Sequence, residues 1–342
     1  MATEEVPPGG GEPRLDQVRP PVEVAPDASA SAPLDRLRAA VATVVVGNDE
    51  ALEHLLVALL CRSHALIEDV PGVGKTLLAR SLAAVVGCTF RRIQFTPDVL
   101  PSDVTGSSVF NQRTAEFEFR PGPVFTQVLL ADEINRATPR AQSALLEAME
   151  ERQVTVDGRT MPLPVPFLVL ATQNPVELEG TFPLPEAQLD RFLIRVTLGY
   201  PTIEDEHAIL QRFEDDDPFT RLAPVMTAED ILQLQRRRGQ VTVGDAVRGY
   251  LVDLVRRTRA DERLALGASP RAALSLHRAV QSRALLQGRS FAVPDDVKAL
   301  AVPVLSHRLV PTAQARMRGD SASTVLLRLL DTLPVPVEPD VG

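Results

Sequence analysis

Short apolar runs alternate with helical patterns along the middle of the chain. Five runs are candidate strands: Ala65–Ile67, Thr89–Gln94, Val128–Ala131, Phe167–Thr172 and Phe192–Leu198. Runs that are apolar on both faces suit a parallel sheet that is covered by helices on either side. The pattern therefore predicts an α/β domain with a central parallel sheet, extending from about residue 34 to residue 202.

The pattern of the remaining residues divides the chain further. From residue 203 to residue 333 the apolar spacing is almost wholly helical, which predicts a second, all-α domain. Within it, Thr227 followed by Asp230 resembles a capping box, and Ser269-Pro270 indicates an N-cap before a first-turn proline. Residues 1–33 are rich in Pro, Gly, Ala and Glu without apolar periodicity, so we predict disorder there and in the tail 334–342.

Composition excludes several classes of function. The chain has 342 residues, enough for two domains, and its 44% hydrophobic and 24% charged content is typical of globular proteins. No apolar run is long enough to cross a bilayer, and we expect no secretory signal. Two cysteines suggest buried core residues in a reducing compartment, so we expect a cytoplasmic protein. The net charge of −9 disfavours a nucleic-acid partner.

The segment after the first candidate strand has the makeup of a phosphate-binding loop. It comprises Pro71, Gly72, Val73, Gly74, Lys75 and Thr76, and a helical pattern starts at Leu77. Glycines let backbone N–H groups face phosphate oxygens, Lys75 can reach the outer phosphates, and the Thr76 hydroxyl can bind Mg²⁺. The helix N-terminus adds a positive dipole end. Asp69 holds the position of the motif's leading glycine, and the alternative is a glycine-rich turn without a ligand.

A pair of acidic residues ends the third candidate strand. Asp132 and Glu133 follow the apolar run Val128–Ala131, about fifty residues after the phosphate loop. Asp132 can hold Mg²⁺ opposite Thr76, and Glu133 can orient or deprotonate the water that attacks the γ-phosphate. Two surface acids at a strand end would be the alternative if this pair stood alone. Together with the loop, the pair predicts hydrolysis of ATP.

Three further residues are candidates with open alternatives. Asn174 closes an apolar strand and can touch the attacking water or the γ-phosphate, or it can be a turn asparagine before proline. Arg191 could enter a neighbouring subunit's site, or it could pair with Asp190. Arg271 lies in the first turn of a predicted helix, where a cation opposes the helix dipole. It indicates a nearby anion, such as a nucleotide phosphate, unless it is simply solvated.

Several ordered segments resemble the MoxR family of AAA+ ATPases between about Val46 and Leu309. They are Glu68–Thr76, Leu100–Gly106, Ala131–Ala137, Ala144–Glu151, Ala171–Pro175, Glu186–Phe192 and Gly267–Ala272. The resemblance implies a P-loop NTPase core of the AAA+ class with a C-terminal helical lid, assembled as a ring, with a hexamer expected. It implies ATP and Mg²⁺ as cofactors.

The resemblance also assigns roles to individual residues. Val46 and Gly47 would line the adenine pocket, Asn174 would be sensor 1, Arg191 the finger that acts in trans, and Arg271 sensor 2. Two hairpin insertions, Phe110–Phe119 and Val154–Thr160, would face the pore or the substrate, or they are plain structural hairpins. The implied activity is chaperone-like remodelling or activation of protein partners, with von Willebrand factor A domain proteins as the expected clients.

Two other classes of function remain open at this point. A nucleic-acid motor or transcriptional regulator could use the same core, although the acidic balance argues against it. A nucleotide-dependent scaffold could bind ATP without turnover, although Lys75, Asp132, Glu133 and Arg191 form a complete hydrolytic set.

Overall fold

A computed structural model describes residues 28–175, 180–214 and 216–336. Within these ranges the strands are β1 (Ala65–Glu68), β2 (Phe90–Gln94), β3 (Gly106–Asn111), β4 (Glu116–Pro121), β5 (Val128–Asp132), β6 (Gln153–Val156), β7 (Arg159–Pro162), β8 (Leu168–Gln173), β9 (Ile194–Val196), β10 (Leu264–Leu266) and β11 (Val310–Pro311). The helices up to the end of the sheet are α1 (Ala28–Ala42), α2 (Asp49–Leu60), α3 (Lys75–Val85), α4 (Pro101–Thr105), α5 (Pro139–Glu151) and α6 (Glu186–Leu189). The later helices are α7 (Ile203–Arg212), α8 (Ala228–Arg238), α9 (Asp245–Ala260), α10 (Pro270–Leu286), α11 (Pro294–Leu305), α12 (Ala313–Met317) and α13 (Ala322–Thr332).

Five of these strands form one parallel sheet in the order β2-β5-β8-β1-β9. Since the strands are parallel, their carboxyl ends lie at one edge, where ligands of open α/β sheets bind. Strands β5, β8 and β1 are neighbours, so their carboxyl ends, at Asp132, Gln173 and Glu68, lie side by side. Glu68 is directly opposite Gln173 in the register. The predicted parallel sheet is confirmed, and the segments that follow these strands meet at one place.

The sheet is covered on both faces, because its strand residues alternate between two apolar clusters. Leu66, Leu129 and Val169 belong to the cluster that contains α5, and all three are fully buried. Ile67 and Leu130 belong to the opposite cluster, which continues into the helical region of residues 203–333. This alternation is why the central strands are apolar throughout.

The helical region packs on the sheet domain through α10, which contacts α2 and α1. Its helices begin at the predicted signals: the Thr227 hydroxyl accepts from Asp230 N–H while the Asp230 carboxylate binds Thr227 N–H at 2.8 Å. Ser269 accepts from Ala272 N–H at the start of α10. Both predicted caps are confirmed. No helix of the described ranges is long and apolar enough to span a bilayer.

The chain becomes regular earlier than predicted. The segment 1–33 was expected to lack regular structure, but α1 starts at Ala28, while residues 1–27 lie outside the described residues. Alanine favours helix, and the helix is anchored by Leu34, Leu37 and Val41, which are almost completely buried. Of the predicted tail, residues 334–336 form no helix or strand, and residues 337–342 lie outside the described residues.

A buried histidine links the sheet to α5 ahead of β1. His64 Nδ1 accepts from Val169 N–H at 2.9 Å, and its Nε2 lies 3.2 Å from the Met149 carbonyl oxygen. A neutral ring satisfies both contacts, with Nε2–H as the donor. Burial lowers the pKa of His64 to about 4.

The stability of the fold should therefore depend on pH through His64. Its folded pKa lies below the unfolded value of 6.5, so its contribution is complete above pH 6.5 and is lost as the pH falls toward 4. Over this window we expect a loss of about 3 kcal/mol from this residue. Urea unfolding at pH 7, 5.5 and 4.5 measures it. The His64→Gln variant should show a shallower pH slope, and an equal slope would contradict the assignment.

Candidate functional site

The predicted phosphate loop joins β1 to α3. Gly72 and Gly74 have φ angles of +86° and +92°, which L side chains rarely adopt, and a Cβ at either residue would meet no atom within 4 Å. The loop therefore needs glycine for its backbone and opens onto free space. Helix α3 begins at Lys75, directly after Gly74. The N–H groups of its first turn have no partner within the helix, which favours an anion at this point.

Lys75 is held at the base of the loop. Its ammonium group donates to the Asp69 carbonyl oxygen at 2.7 Å. Burial lowers the pKa of Lys75, while the nearby carboxylates of Asp69, Asp132 and Glu133 act in the opposite direction. The lysine thus lies near the acids at the sheet edge, at the end of the loop that is predicted to bind phosphate.

The structure explains why Asp69 replaces glycine at the head of the motif. Its carboxylate is buried and accepts three backbone N–H groups: Val70 at 2.8 Å, Leu198 at 2.6 Å and Gly199 at 2.7 Å. Leu198 and Gly199 belong to the connection between the sheet and the helical region. Asp69 therefore fastens the phosphate loop to this connection, a role that a glycine could not perform.

The acid pair lies at the end of β5, beside β8. Thr172 of β8 donates to Asp132 Oδ1 at 2.5 Å, and its hydroxyl accepts from Glu133 N–H at 2.9 Å. Glu133 adopts φ 57° and ψ 48°, a left-handed conformation that is costly for a residue with a side chain. One buried hydroxyl thus fixes both acids, and Glu133 turns away from the strand direction that Asp132 follows.

Two arginines that the sequence did not single out neutralise the acids. Arg92 on β2 donates to Asp132 Oδ2 through Nη2 at 2.6 Å and through Nε at 3.1 Å. Arg136 Nε lies 3.0 Å from Glu133 Oε2. Arg92 lies opposite Leu130 in the register of β2 and β5, which no pattern in the sequence reveals. Glu133 and Arg136 are three residues apart in the sequence, but this spacing alone does not predict an ion pair at a functional site.

These groups surround one cavity of about 410 Å³. Its lining residues are Pro71, Gly72, Gly74, Lys75, Thr76, Leu77, Arg92, Gln94, Asp132, Glu133 and Asn174. Nine of them were predicted as site residues, and Asn174, at 9% exposure, is among them. Val73 is half-buried and does not line the cavity.

The lining fits a magnesium–triphosphate group. The open loop and the free N–H groups of α3 suit phosphate oxygens, and the volume lies in the range of ligand sites. Thr76 and Asp132 offer oxygen ligands, the kind that Mg²⁺ prefers, and two protein ligands suffice because Mg²⁺ keeps waters and binds phosphates. No cluster of three His, Cys, Asp or Glu side chains within the described ranges offers another metal site.

Arg191 and Arg271 lie elsewhere, in a second cavity of about 570 Å³ that none of the phosphate-loop residues lines. Arg271 Nη2 donates to Glu150 at 3.0 Å, and its Nε lies 3.6 Å from Asp190 Oδ2. The structure therefore does not bring Arg271 to the phosphate loop of its own chain. Asp190 pairs with Arg308 at 2.6 Å, and no ion pair of Arg191 is found in the part of the chain described. The alternative of an Asp190–Arg191 pair is wrong.

Val46 and Gly47 do not line the loop cavity either. Gly47 has φ +73°, and a Cβ there would lie 2.5 Å from Asp205 Oδ2 in the first turn of α7. The Val46 carbonyl accepts from the Asn48 side chain at 3.0 Å. The pair lies where the sheet domain meets the start of the helical region, and its contact with adenine stays a prediction.

Both predicted hairpins form. In β3–β4, Phe110 and Phe117 are 49% and 71% exposed and contact each other with ring centroids 5.3 Å apart. In β6–β7, Asp157 and Gly158 have φ angles of 51° and 74°, as in the tight turns that Asp-Gly favours. The first hairpin presents aromatic side chains to solvent and is the better candidate for contact with another molecule.

Comparisons with known proteins agree with this geometry. Residues 64–194 match the family described as "ATPase family associated with various cellular activities (AAA)", and residues 256–326 match the AAA lid domain. A Bacillus subtilis (strain 168) protein described as "Uncharacterized protein YeaC" is 49% identical over 86% of this chain and 92% of its own length. "Chaperone MoxR1" of Mycobacterium tuberculosis (strain ATCC 25618 / H37Rv) is 43% identical over 97% of this chain and 86% of its own length.

A solved structure has the same fold. It comes from Cytophaga hutchinsonii ATCC 33406, is described as a candidate ATPase, and superposes with a TM-score of 0.85 at 37% identity, covering 91% of this chain and 97% of that one. Fold and site together define an AAA+ ATPase: a parallel-sheet core with a C-terminal helical lid. The chain belongs to the MoxR family of these ATPases.

Proposed function

We propose that this protein is a Mg²⁺-dependent ATPase that assembles into a ring and uses hydrolysis to remodel or activate protein partners. The observation that carries the proposal is the convergence of the phosphate loop, the acid pair and Asn174 on one cavity at the sheet edge. A scaffold that only binds nucleotide would need the loop but not Glu133, which Thr172 holds in a strained conformation beside the loop.

The chemistry divides among the residues of this cavity. Lys75 and the first turn of α3 bind the phosphates, while Thr76 and Asp132 hold Mg²⁺, which supplies charge neutralisation at the phosphates. Glu133 orients and deprotonates the attacking water, and Asn174 touches that water or the γ-phosphate. To act on the water, Glu133 must release Arg136. To hold Mg²⁺, Asp132 must share its Oδ2 with Arg92. Both arginines therefore compete with the water and the metal for the two carboxylates.

A complete site needs a second copy of the chain. Arg191 and Arg271 belong to a cavity in which seven arginines face only Glu150 and Asp190: Arg62, Arg152, Arg191, Arg238, Arg271, Arg278 and Arg308. Seven cations with only two carboxylates among them favour binding of an anion from another molecule. In a ring, that anion would be the triphosphate bound to the neighbouring subunit. Repeating this head-to-tail contact closes a ring, for which we propose six subunits.

The client is a protein in this proposal. The β3–β4 hairpin exposes Phe110 and Phe117, which suits contact with polypeptide, and one relative is named as a chaperone. From the family resemblance we propose von Willebrand factor A domain proteins as clients and a cytoplasmic location. The acidic net charge of −9 makes a nucleic-acid client the weaker choice.

Two measurements on purified protein test this function. Phosphate release with ATP should require Mg²⁺ and stop when the metal is chelated. A purified von Willebrand factor A domain protein should bind the Glu133→Gln variant with ATP but not with ADP. If no phosphate is released under any condition, the proposed ATPase activity is wrong. If DNA stimulates phosphate release and von Willebrand factor A domain proteins have no effect on it, a nucleic-acid motor is favoured.

A further inference from the structure

The most buried cation of the lid contacts the segment that carries Arg191. Arg308 lies in a short helical turn, Ser306–Arg308, that follows α11, and its side chain is only 4% exposed. Its partner is Asp190 of the core, the residue directly before Arg191, with Nε 2.6 Å from Asp190 Oδ1. An ion pair thus joins the lid to the immediate neighbour of the proposed finger.

The rest of the guanidinium holds the backbone on the other side of Arg191. Nη2 donates to the Phe192 carbonyl oxygen at 2.8 Å, and Nη1 donates to that of Leu193 at 3.1 Å. Nη2 also lies 3.4 Å from the Asp190 carbonyl oxygen. One planar fork of five N–H donors therefore grips both residues that flank Arg191, which a lysine could not do.

Neighbouring lid residues strengthen the same contact. His307 Nε2 lies 3.0 Å from the Phe192 carbonyl oxygen, and the Ser306 hydroxyl accepts from Arg195 at 3.0 Å. Arg195 in turn pairs with Glu68 at the end of β1, also at 3.0 Å. The lid is thus attached to the core between Asp190 and Arg195 and, through Glu68, to the strand that leads into the phosphate loop.

Arg191 itself is left free by this arrangement. Its neighbours Asp190 and Phe192 are tied to the lid, while its side chain projects into the arginine-lined cavity without an ion pair among the described residues. Because three consecutive residues share one short turn, the position of the Arg191 side chain depends on the backbone that Arg308 holds.

We infer that Arg308 is a positioning residue for Arg191: the lid sets the geometry of the finger that a subunit offers to its neighbour. The inference rests on the proposed function. Misplacing a catalytic group by about 1 Å can cost about 10²-fold in rate, so a small shift of this turn is enough to stop the neighbour's turnover. The defect of an Arg308 variant should therefore lie in the adjacent subunit's site and not in its own.

The test uses R308K, which keeps a cation for Asp190 but loses the fork. We expect kcat to fall by about tenfold or more, with the affinity for ATP within about twofold of the native value. Mixing R308K with Glu133→Gln subunits, which keep Arg308 and Arg191, should restore turnover above the sum of the separate preparations. An R308K defect confined to its own site would show no restoration.

A second variant and a matched control separate positioning from folding. Asp190→Asn cuts the same ion pair from the core side and should reproduce the kcat loss and the restoration by mixing. R289K changes another arginine that pairs with a buried aspartate, Asp296, at 2.7 Å, but within the lid. It should lower the thermal unfolding temperature comparably while kcat stays within about twofold.

The outcomes distinguish this inference from the ring itself. The mixture of Arg191→Ala with Glu133→Gln is the reference. If this mixture regains no activity, the proposal that Arg191 acts in the neighbour's site is wrong, independently of the role of Arg308. If the reference mixture is active but neither R308K nor Asp190→Asn is rescued, Arg308 is not a positioning residue. Rescue of R308K supports it, whereas rescue of Asp190→Asn without rescue of R308K would assign the effect to Arg271, which lies 3.6 Å from the same carboxylate.

Discussion

Replacing Glu133 with glutamine should abolish turnover of ATP while leaving ATP binding intact. An amide keeps the size of the side chain but cannot take a proton from the attacking water, and general-base catalysis contributes about 10²–10⁴ in rate. Binding should persist because the phosphates contact the loop and Lys75, whereas Glu133 follows β5 and pairs with Arg136. Phosphate release and nucleotide binding, measured on the same preparation, give the two halves of the result.

The control for this variant is Glu151→Gln. Glu151 is exposed at the end of α5, outside the cavity that holds Glu133, so the same chemical change there should alter neither binding nor turnover. A Glu133→Gln enzyme with the native kcat would remove Glu133 from the catalytic role. Loss of binding together with turnover would mean that the variant disturbs the loop, and Glu133 would then be structural.

The sequence was sufficient for those parts of the site that depend on local pattern. Gly72, Gly74 and Lys75 are diagnostic because the backbone conformation needs glycine and the helix starts directly after it. Asp132 and Glu133 follow a strand whose residues are apolar on both faces, and such strands lie side by side in a parallel sheet. Convergence at the sheet edge follows from these two facts.

Partners that are distant along the chain could not be predicted. Asp69 binds N–H groups of Leu198 and Gly199, and Thr172 orients both acids, because strand order brings β1, β8 and β5 together. The visible signal for Thr172 was a threonine inside an otherwise apolar strand. A buried threonine hydroxyl, however, usually forms its hydrogen bond with a nearby backbone group of its own segment, so the signal does not indicate a functional role. The same limit applies to Arg92, whose pairing depends on the register of β2 and β5.

Strand boundaries were also limited by tertiary contacts. The last strand was predicted over Phe192–Leu198, but β9 covers only Ile194–Val196. Phe192 N–H donates to the Leu189 carbonyl oxygen, and Leu198 N–H donates to the Asp69 carboxylate. Neither end of the predicted strand therefore takes part in the hydrogen bonding between β9 and β1. The apolar pattern continues because Phe192 is fully buried and Leu198 packs partly buried against the core, not because they are paired in the sheet.

Removing the Arg191 guanidinium should reduce turnover by about 10³–10⁵ while the chain stays folded. In the Arg191→Ala variant each site keeps its own Lys75, Asp132 and Glu133, so ATP binding should be close to native. The fold should tolerate the change because the half-buried Arg191 makes no ion pair within the described ranges, in contrast to Arg308, which has 4% exposure. Thermal unfolding, nucleotide binding and phosphate release together measure the prediction.

Mixing the variant with Glu133→Gln subunits decides whether Arg191 acts in its own site or in the neighbour's. An Arg191→Ala subunit beside a Glu133→Gln subunit has an intact Glu133 and receives an intact Arg191, so its site is complete. In a random equal mixture about a quarter of the sites meet this condition, which sets the expected activity relative to native protein. Turnover no higher than that of the separate variants would place Arg191 outside the neighbour's site, since a finger that acts within its own chain cannot be supplied by another subunit.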